Sequence, residues 1–437
     1  MATLTLELKT ITPLFLGGAY PDNFAELRAP AIKGLLRYWY RAIDPQFGRC
    51  EKEIFGGVGA GAGASPFALR IHQPLRGDHQ WDLDRYQGPR FRKPHDARGA
   101  NGIVYLGYSH RLGGKNRRAI AAGQTFKVTL RTTRPVGEYA LKGALASAWL
   151  LGHLGSAGSR SRRGFGSLAL KSWATSGFQG IEQGEGNVPA ISVAEPAKTS
   201  DEWMQQFSAG LDQIRKWFSP YSRDPDHSVV GPGARVYLYR DGSDTEGGLD
   251  GVKAWEHALQ RVGTDLQEFR IRERNPDHDL VRDHLIARSA RRARGMALPD
   301  LPDGARARPL GASDTIRRAA FGLPLMFRYS SLDRANRAKE QQGGRPGRTW
   351  ERFLTSTMFQ GDQHSRNASP LLIRVVEIAG RCHPMVVLLS APFLARGEVF
   401  REQDKHGAPR LTIPPRKILE DFCDNVVGPQ SVPPVLL

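Results

Sequence analysis

Ala31-Ile32-Lys33-Gly34-Leu35-Leu36-Arg37-Tyr38-Trp39-Tyr40-Arg41-Ala42-Ile43 decides the architecture of the first half of the chain. Ile32, Leu35, Leu36, Trp39 and Ile43 recur at i, i+3, i+4, i+7 and i+11, which is one apolar helix face, and Pro30 stands near its start. Upstream, Thr3-Leu4-Thr5-Leu6-Glu7-Leu8-Lys9 alternates apolar and polar residues as a half-buried strand does. Downstream, residues 66–73 and 124–132 read as strands, the second through Phe126, Val128 and Leu130. A second helix is expected over about 137–154, striped by Leu141, Ala144, Leu145, Ala148 and Trp149. A loop rich in Gly and Arg follows it and leads into a last strand over 166–173. The order β-α-β-β-α-β predicts an α+β, ferredoxin-like domain over residues 1–173.

The rest is less regular. Residues 174–230 read as a linker with a helix over 201–218, and residues 231–437 as a second α+β domain. In that domain 234–240, 370–378 and 385–394 read as strands and 416–426 as a helix. An Arg-rich insertion covers about 241–315, with helical stretches near 252–262 and 278–294. Few charges interrupt 385–394, and such a strand at an open sheet edge calls for a protein partner.

Composition narrows the function. The chain has 437 residues and a formal charge of +18, with 48 Arg against 14 Lys. That balance points to a polyanion, most simply nucleic acid, and Arg suits phosphate forks and base stacking. Cys50, Cys382 and Cys423 stand far apart, which supports neither a zinc ribbon nor a disulfide framework. No cofactor and no metal are expected. No apolar run is long enough for a membrane span and no secretory leader is visible, so a cytoplasmic protein is expected.

Three constellations carry charge. Lys33, Arg37 and Arg41 stack at i, i+4 and i+8 with no acid at i±4, a stripe that a polyanion would neutralise. Residues 85–131 hold eleven Lys or Arg against Asp96 alone. The cations singled out there are Arg92, Lys93, Arg111, Lys115, Arg117 and Arg118; Tyr86, Phe91, Tyr105, Tyr108 and Phe126 are interleaved with them, as on a single-strand binding surface. The loop Gly158-Ser159-Arg160-Ser161-Arg162-Arg163-Gly164-Phe165-Gly166 combines backbone freedom with three cations. It lacks the G-x-x-x-x-G-K-[ST] of a P-loop.

Several pieces resemble the RAMP superfamily of CRISPR-associated proteins, and within it the first subunits of type III-B Cmr effector complexes. They are Thr12–Gly18, the run from Leu27 to Arg41, Glu53–Gly57, the Arg162–Ser167 loop, Gly322–Pro324 and Ala368–Ile373. Ala31 departs from the pattern, where the family usually has Ser before Ile-Lys-Gly. The resemblance implies two ferredoxin-like (RRM-like) domains and a structural, RNA-contacting role near the 3′ end of the guide. It implies guide RNA, target RNA and other RAMP subunits as partners, and no membrane. Arg28, Lys33, Arg37, Arg41, Arg160, Arg162, Arg163, Gly164 and Phe165 join the six cations of 85–131 as expected RNA contacts. One rival is a RAMP-type endoribonuclease acting through Asp22, in a Pro-Asp-Asn turn, or through a His such as His72, His110 or His153. Another is a stand-alone RNA-binding protein. Asp277, His278, Asp279, Asp283 and His284 form a cluster able to hold a metal or to make a salt-bridged helix face.

Overall fold

The computed structural model describes residues 1–58, 63–87, 101–111, 117–178, 197–221, 226–244, 252–272, 274–343, 345–403 and 410–437. Its main elements are β1 (Thr3–Thr10), α1 (Ala29–Ile43), α2 (Phe47–Phe55), β2 (Phe67–His72), β3 (Thr125–Thr132), α3 (Glu138–Leu154), β4 (Leu168–Ser176), α4 (Ser200–Arg215), β5 (Arg235–Leu238), α5 (Ala254–Arg272), α6 (Arg274–Ala293), β6 (Leu325–Arg328), β7 (Ser356–Gly361), β8 (Leu371–Ile378), β9 (Arg381–Leu388), β10 (Phe400–Glu402) and β11 (Val435–Leu436). The chain is a mixed α/β protein with antiparallel sheets, divided into two compact units. The first is Met1–Gln267 with Leu371–Ala391 and Phe422–Leu437; the second is Glu268–Pro370 with Pro392–Asp421.

The first unit holds two sheets. One has the order β2-β3-β1-β4 with every pairing antiparallel. Leu4, Leu6 and Leu8 of β1 point to its covered face, where Ile32, Leu36 and Trp39 of α1 join the core. The period-2 and period-3.6 patterns therefore meet on one layer. Helix α3 is buried almost all round, from Ala140 to Leu154 with Lys142 excepted. A single stripe was expected; the second contact is α4, whose Phe207 stacks on Trp149 at 5.3 Å.

The second sheet has the order β8-β9-β5-β11, again antiparallel throughout, with the short strand Ser243–Asp244 also pairing β9. In chain order both sheets read second, third, first, fourth. Strand β9 has neighbours on both sides, so the apolar run from 385 is interior and not the open edge expected for it. Arg374 of β8 is fully buried and donates to the carbonyl oxygens of Leu168 and Gly152. Burial pushes its pKa down to about 9.

The second unit has a three-stranded antiparallel sheet, β6-β7-β10. Leu325, Phe327, Phe359 and Phe400 form a core with Val281, Leu285 and Ile286 of α6. Glu402 is buried inside it and accepts from His284 Nε2 at 2.9 Å, Arg288 Nη1 at 2.6 Å and the Thr357 hydroxyl. The Leu310 N–H donates to His284 Nδ1, which leaves the ring proton on Nε2 for Glu402. Among the described residues no helix is long and apolar enough to cross a membrane.

Candidate nucleic-acid interface

Charge is unevenly distributed along the chain. Residues 1–178 hold 26 basic and 11 acidic residues, whereas 179–267 hold 8 and 14. The second unit holds 26 and 17. The positive excess thus sits in the first sheet region and in the second unit, and not evenly over the chain.

Helix α1 places Lys33, Arg37 and Arg41 along one stripe, but the expectation of an uncompensated stripe needs correction. Arg37 and Arg41 both pair with Glu51 of α2, Arg41 at 2.8 and 2.9 Å. The i±4 rule looks only along one helix, and Glu51 arrives from the next one, beyond the turn at Asp44 and Pro45. Two guanidinium groups still share one carboxylate. Lys33 has no acidic partner among the described residues, and burial, then Arg37, lowers its pKa. Arg28 precedes the helix and is exposed.

The Arg160–Phe165 loop meets this helix. Arg162 Nη2 donates to the Tyr38 hydroxyl at 3.3 Å, and its guanidinium lies 5.6 Å from the Tyr38 ring centre. The loop is pinned rather than loose: Ser159 N–H donates to Phe15 O, Gly166 N–H to Pro13 O, and Ile373 N–H to Arg162 O. Gly164 has φ +89, and its carbonyl accepts from the Thr12 and Ser167 hydroxyls. Two expected contacts are corrected here. Phe165 has no exposed surface and packs edge-on against Phe15, Trp81 and His110, so its ring is spent on the core. Gly164 is buried, and a Cβ there would strike Leu259.

Segment 85–131 splits. Arg92, Lys93 and Lys115 lie outside the described residues, as do Phe91 and the side chain of Arg111. Tyr86 and Phe126 are core residues, and Tyr86 and Arg85 bond Glu256. Arg118 is committed to the carbonyl oxygens of Asp22, at 3.3 Å, and Asp78, at 3.0 Å, which makes it a strut of the Asp22 turn. Arg117 is exposed. Tyr108, at 53% exposure, is an open aromatic of this stretch.

The candidate catalytic groups are dispersed. Asp22 occupies an exposed turn. His72 bonds Thr129 on the exposed sheet face. His153 Nδ1 contacts the Trp149 carbonyl at 2.8 Å and its ring stacks on Trp149. Asp277 accepts the N–H groups of Arg317 and Arg318, Asp283 pairs with Arg282 and Arg306, and His284 belongs to Glu402. The charges of that cluster are used within the second unit.

His110 stacks on Phe15 at 3.7 Å with both ring nitrogens buried. Burial pushes its pKa down to about 3, helped by Arg160 and Arg117, and burial pushes His153 down to about 4. The unfolded chain takes up protons at these rings below its ordinary value of 6.5, while the folded chain does not. Stability is therefore full above that pH and falls below it, by about 1.4 kcal/mol per pH unit for each ring. Denaturation midpoints measured between pH 7 and about pH 5 should drop steeply, and less so in His110→Phe; a flat profile would contradict this.

Residues 7–169, the first sheet with its helices, match the RAMP superfamily. The CRISPR system Cmr subunit Cmr1-1 of Pyrococcus furiosus is 28% identical over 175 residues. That alignment covers 38% of this chain and 46% of the relative, so the matched stretch spans less than half of the relative's length. The crystal structure of Cmr1 from Pyrococcus furiosus in its apo form superposes with a TM-score of 0.54 at 17% identity, covering 100% of this chain and 98% of that one. The two share a fold.

Proposed function

Given a RAMP-superfamily domain in residues 7–169, we propose that the chain is a non-enzymatic, RNA-binding subunit of a type III-B CRISPR effector. It holds guide or target RNA by its sugar-phosphate backbone along α1 and the Arg160–Phe165 loop, and it docks other RAMP subunits. The observation that carries this is the Arg162–Tyr38 contact, which sets the loop against the helix that bears Lys33, Arg37 and Arg41. The Cmr name of the Pyrococcus furiosus relative supports the choice of assembly. The shared strand order of the two sheets supports a pair of ferredoxin-like domains, the second interrupted by the other unit.

Gly34 adds support. It lies exposed within α1, and nothing stands within 4 Å of where a Cβ would be. A glycine inside a helix costs about 1 kcal/mol against alanine, and no neighbour among the described residues requires it. The bare backbone suits the close approach of a phosphate strand from outside.

Two variants of the full chain test the proposal on single-stranded RNA. Lys33→Ala with Arg162→Ala should weaken binding alike for all sequences and lower the salt slope by about 1.4, at about 0.7 per lost phosphate contact. Gly34→Ala should raise the melting temperature and yet weaken RNA binding. Unchanged affinity and slope in both would sink the backbone track. Sequencing the RNA and identifying the proteins that co-purify tests the assembly. Cleavage of RNA by the isolated chain, lost in Asp22→Ala, would favour the endoribonuclease instead.

A further inference from the structure

Tyr108 follows the short helix Gly102–Gly107, with half of its side chain in solvent. The Arg160 guanidinium lies over its ring, 4.4 Å from the centre. These residues come from two stretches far apart in sequence, the interleaved segment and the Arg-Gly loop, and they form one amphipathic platform.

The platform is held rigidly from below. Arg160 has φ +61, its carbonyl accepts from the Arg163 N–H at 2.8 Å, and its Nε donates to Ser109 Oγ at 2.5 Å. Ser109 is followed directly by His110, which belongs to the packed cluster with Phe15, Phe165 and Trp81. A ring so placed loses little further freedom when something stacks on it. With Nε spent on Ser109, the Nη groups of Arg160 have no hydrogen-bond acceptor and no acidic partner among the described residues.

An exposed tyrosine backed by a cation, in a region with a large basic excess, fits one chemistry. We infer that Tyr108 and Arg160 form a nucleobase-stacking site for single-stranded RNA. The base lies on the open Tyr108 surface, while the Nη groups of Arg160 take the adjoining phosphate. The site rests on the proposed RNA-binding role and adds to it: the loop grips the backbone, and this platform takes one base by its π-face, with little preference among bases. An acidic or apolar protein segment is the competing occupant.

The test uses the full chain and an unstructured single-stranded RNA. Tyr108→Ala should weaken binding roughly tenfold with the salt slope unchanged, whereas Tyr108→Phe should bind as wild type does. A 2-aminopurine moved along the RNA should be quenched at one position by the wild-type chain and at none by Tyr108→Ala. An abasic nucleotide at that position should cost the wild type about what Tyr108→Ala costs, and cost the variant nothing further. The quenching and abasic arms on wild-type protein hold even if the variant folds poorly. Equal affinity of Tyr108→Ala and wild type, with no quenched position, would overturn the stacking site while leaving the backbone track in place. A wild-type chain that binds no RNA would overturn both.

Discussion

A Phe165→Ala chain is expected to lose about 3–5 kcal/mol of stability, the cost of removing a fully buried aromatic side chain. Phe15, Trp81 and His110 surround the ring at centroid distances of 5.7, 5.2 and 4.9 Å. The same cluster supports Ser109 and the Arg160 turn, so RNA affinity should fall as well, in proportion to the unfolded fraction. Phe165→Leu should recover most of the stability. Denaturant unfolding decides it: a loss under about 1 kcal/mol with weakened RNA binding would make Phe165 a surface stacking residue after all.

The second large effect belongs to the second unit. Glu402→Ala should destabilise it by about 3–5 kcal/mol, because Arg288 would lose this counter-charge and the buried His284 Nε2–H its hydrogen-bond acceptor. Burial alone would raise this carboxyl's pKa, but the His284 and Thr357 hydrogen bonds outweigh that and hold it below the usual range. Its contribution is therefore complete above the usual carboxylate pKa and is lost as pH falls through the lower, folded value. The wild-type unit should show this acid step and Glu402→Gln should not. Wild-type stability in Glu402→Ala would refute the network.

Much of the first sheet was legible in the sequence because its elements are amphipathic and local. The alternation of Leu4, Leu6 and Leu8 and the helical spacing of Ile32, Leu36 and Trp39 each report burial within a few residues. The site was less legible, since partners there are set by distance in space. Glu51 meets Arg37 and Arg41 from another helix. Phe165, framed by glycines and preceded by arginines, has the local signature of an exposed stacking residue; its burial depends on residues 15, 81 and 110. Tyr108 and Tyr86 are alike in local sequence terms, and only their packing separates an open ring from a core one. The run from 385 misled in the same way: an uninterrupted apolar strand is compatible with an exposed edge or an interior position, and β8 and β5 make it interior.

The strand order of the second sheet also sets a clock. Strand β5 ends at Leu238, and its neighbour β9 is preceded by β8, which begins at Leu371. About 130 residues are synthesised in between, which at roughly 5–20 residues per second takes on the order of 7–25 s. Throughout that interval the Val236 and Leu238 side chains lack their β9 neighbours, and β11 is supplied later still. The second unit, by contrast, has most of its residues in hand before β8 emerges. A ribosome paused near residue 370 should therefore carry a first sheet already protected from proteolysis, while β5 remains open to cleavage.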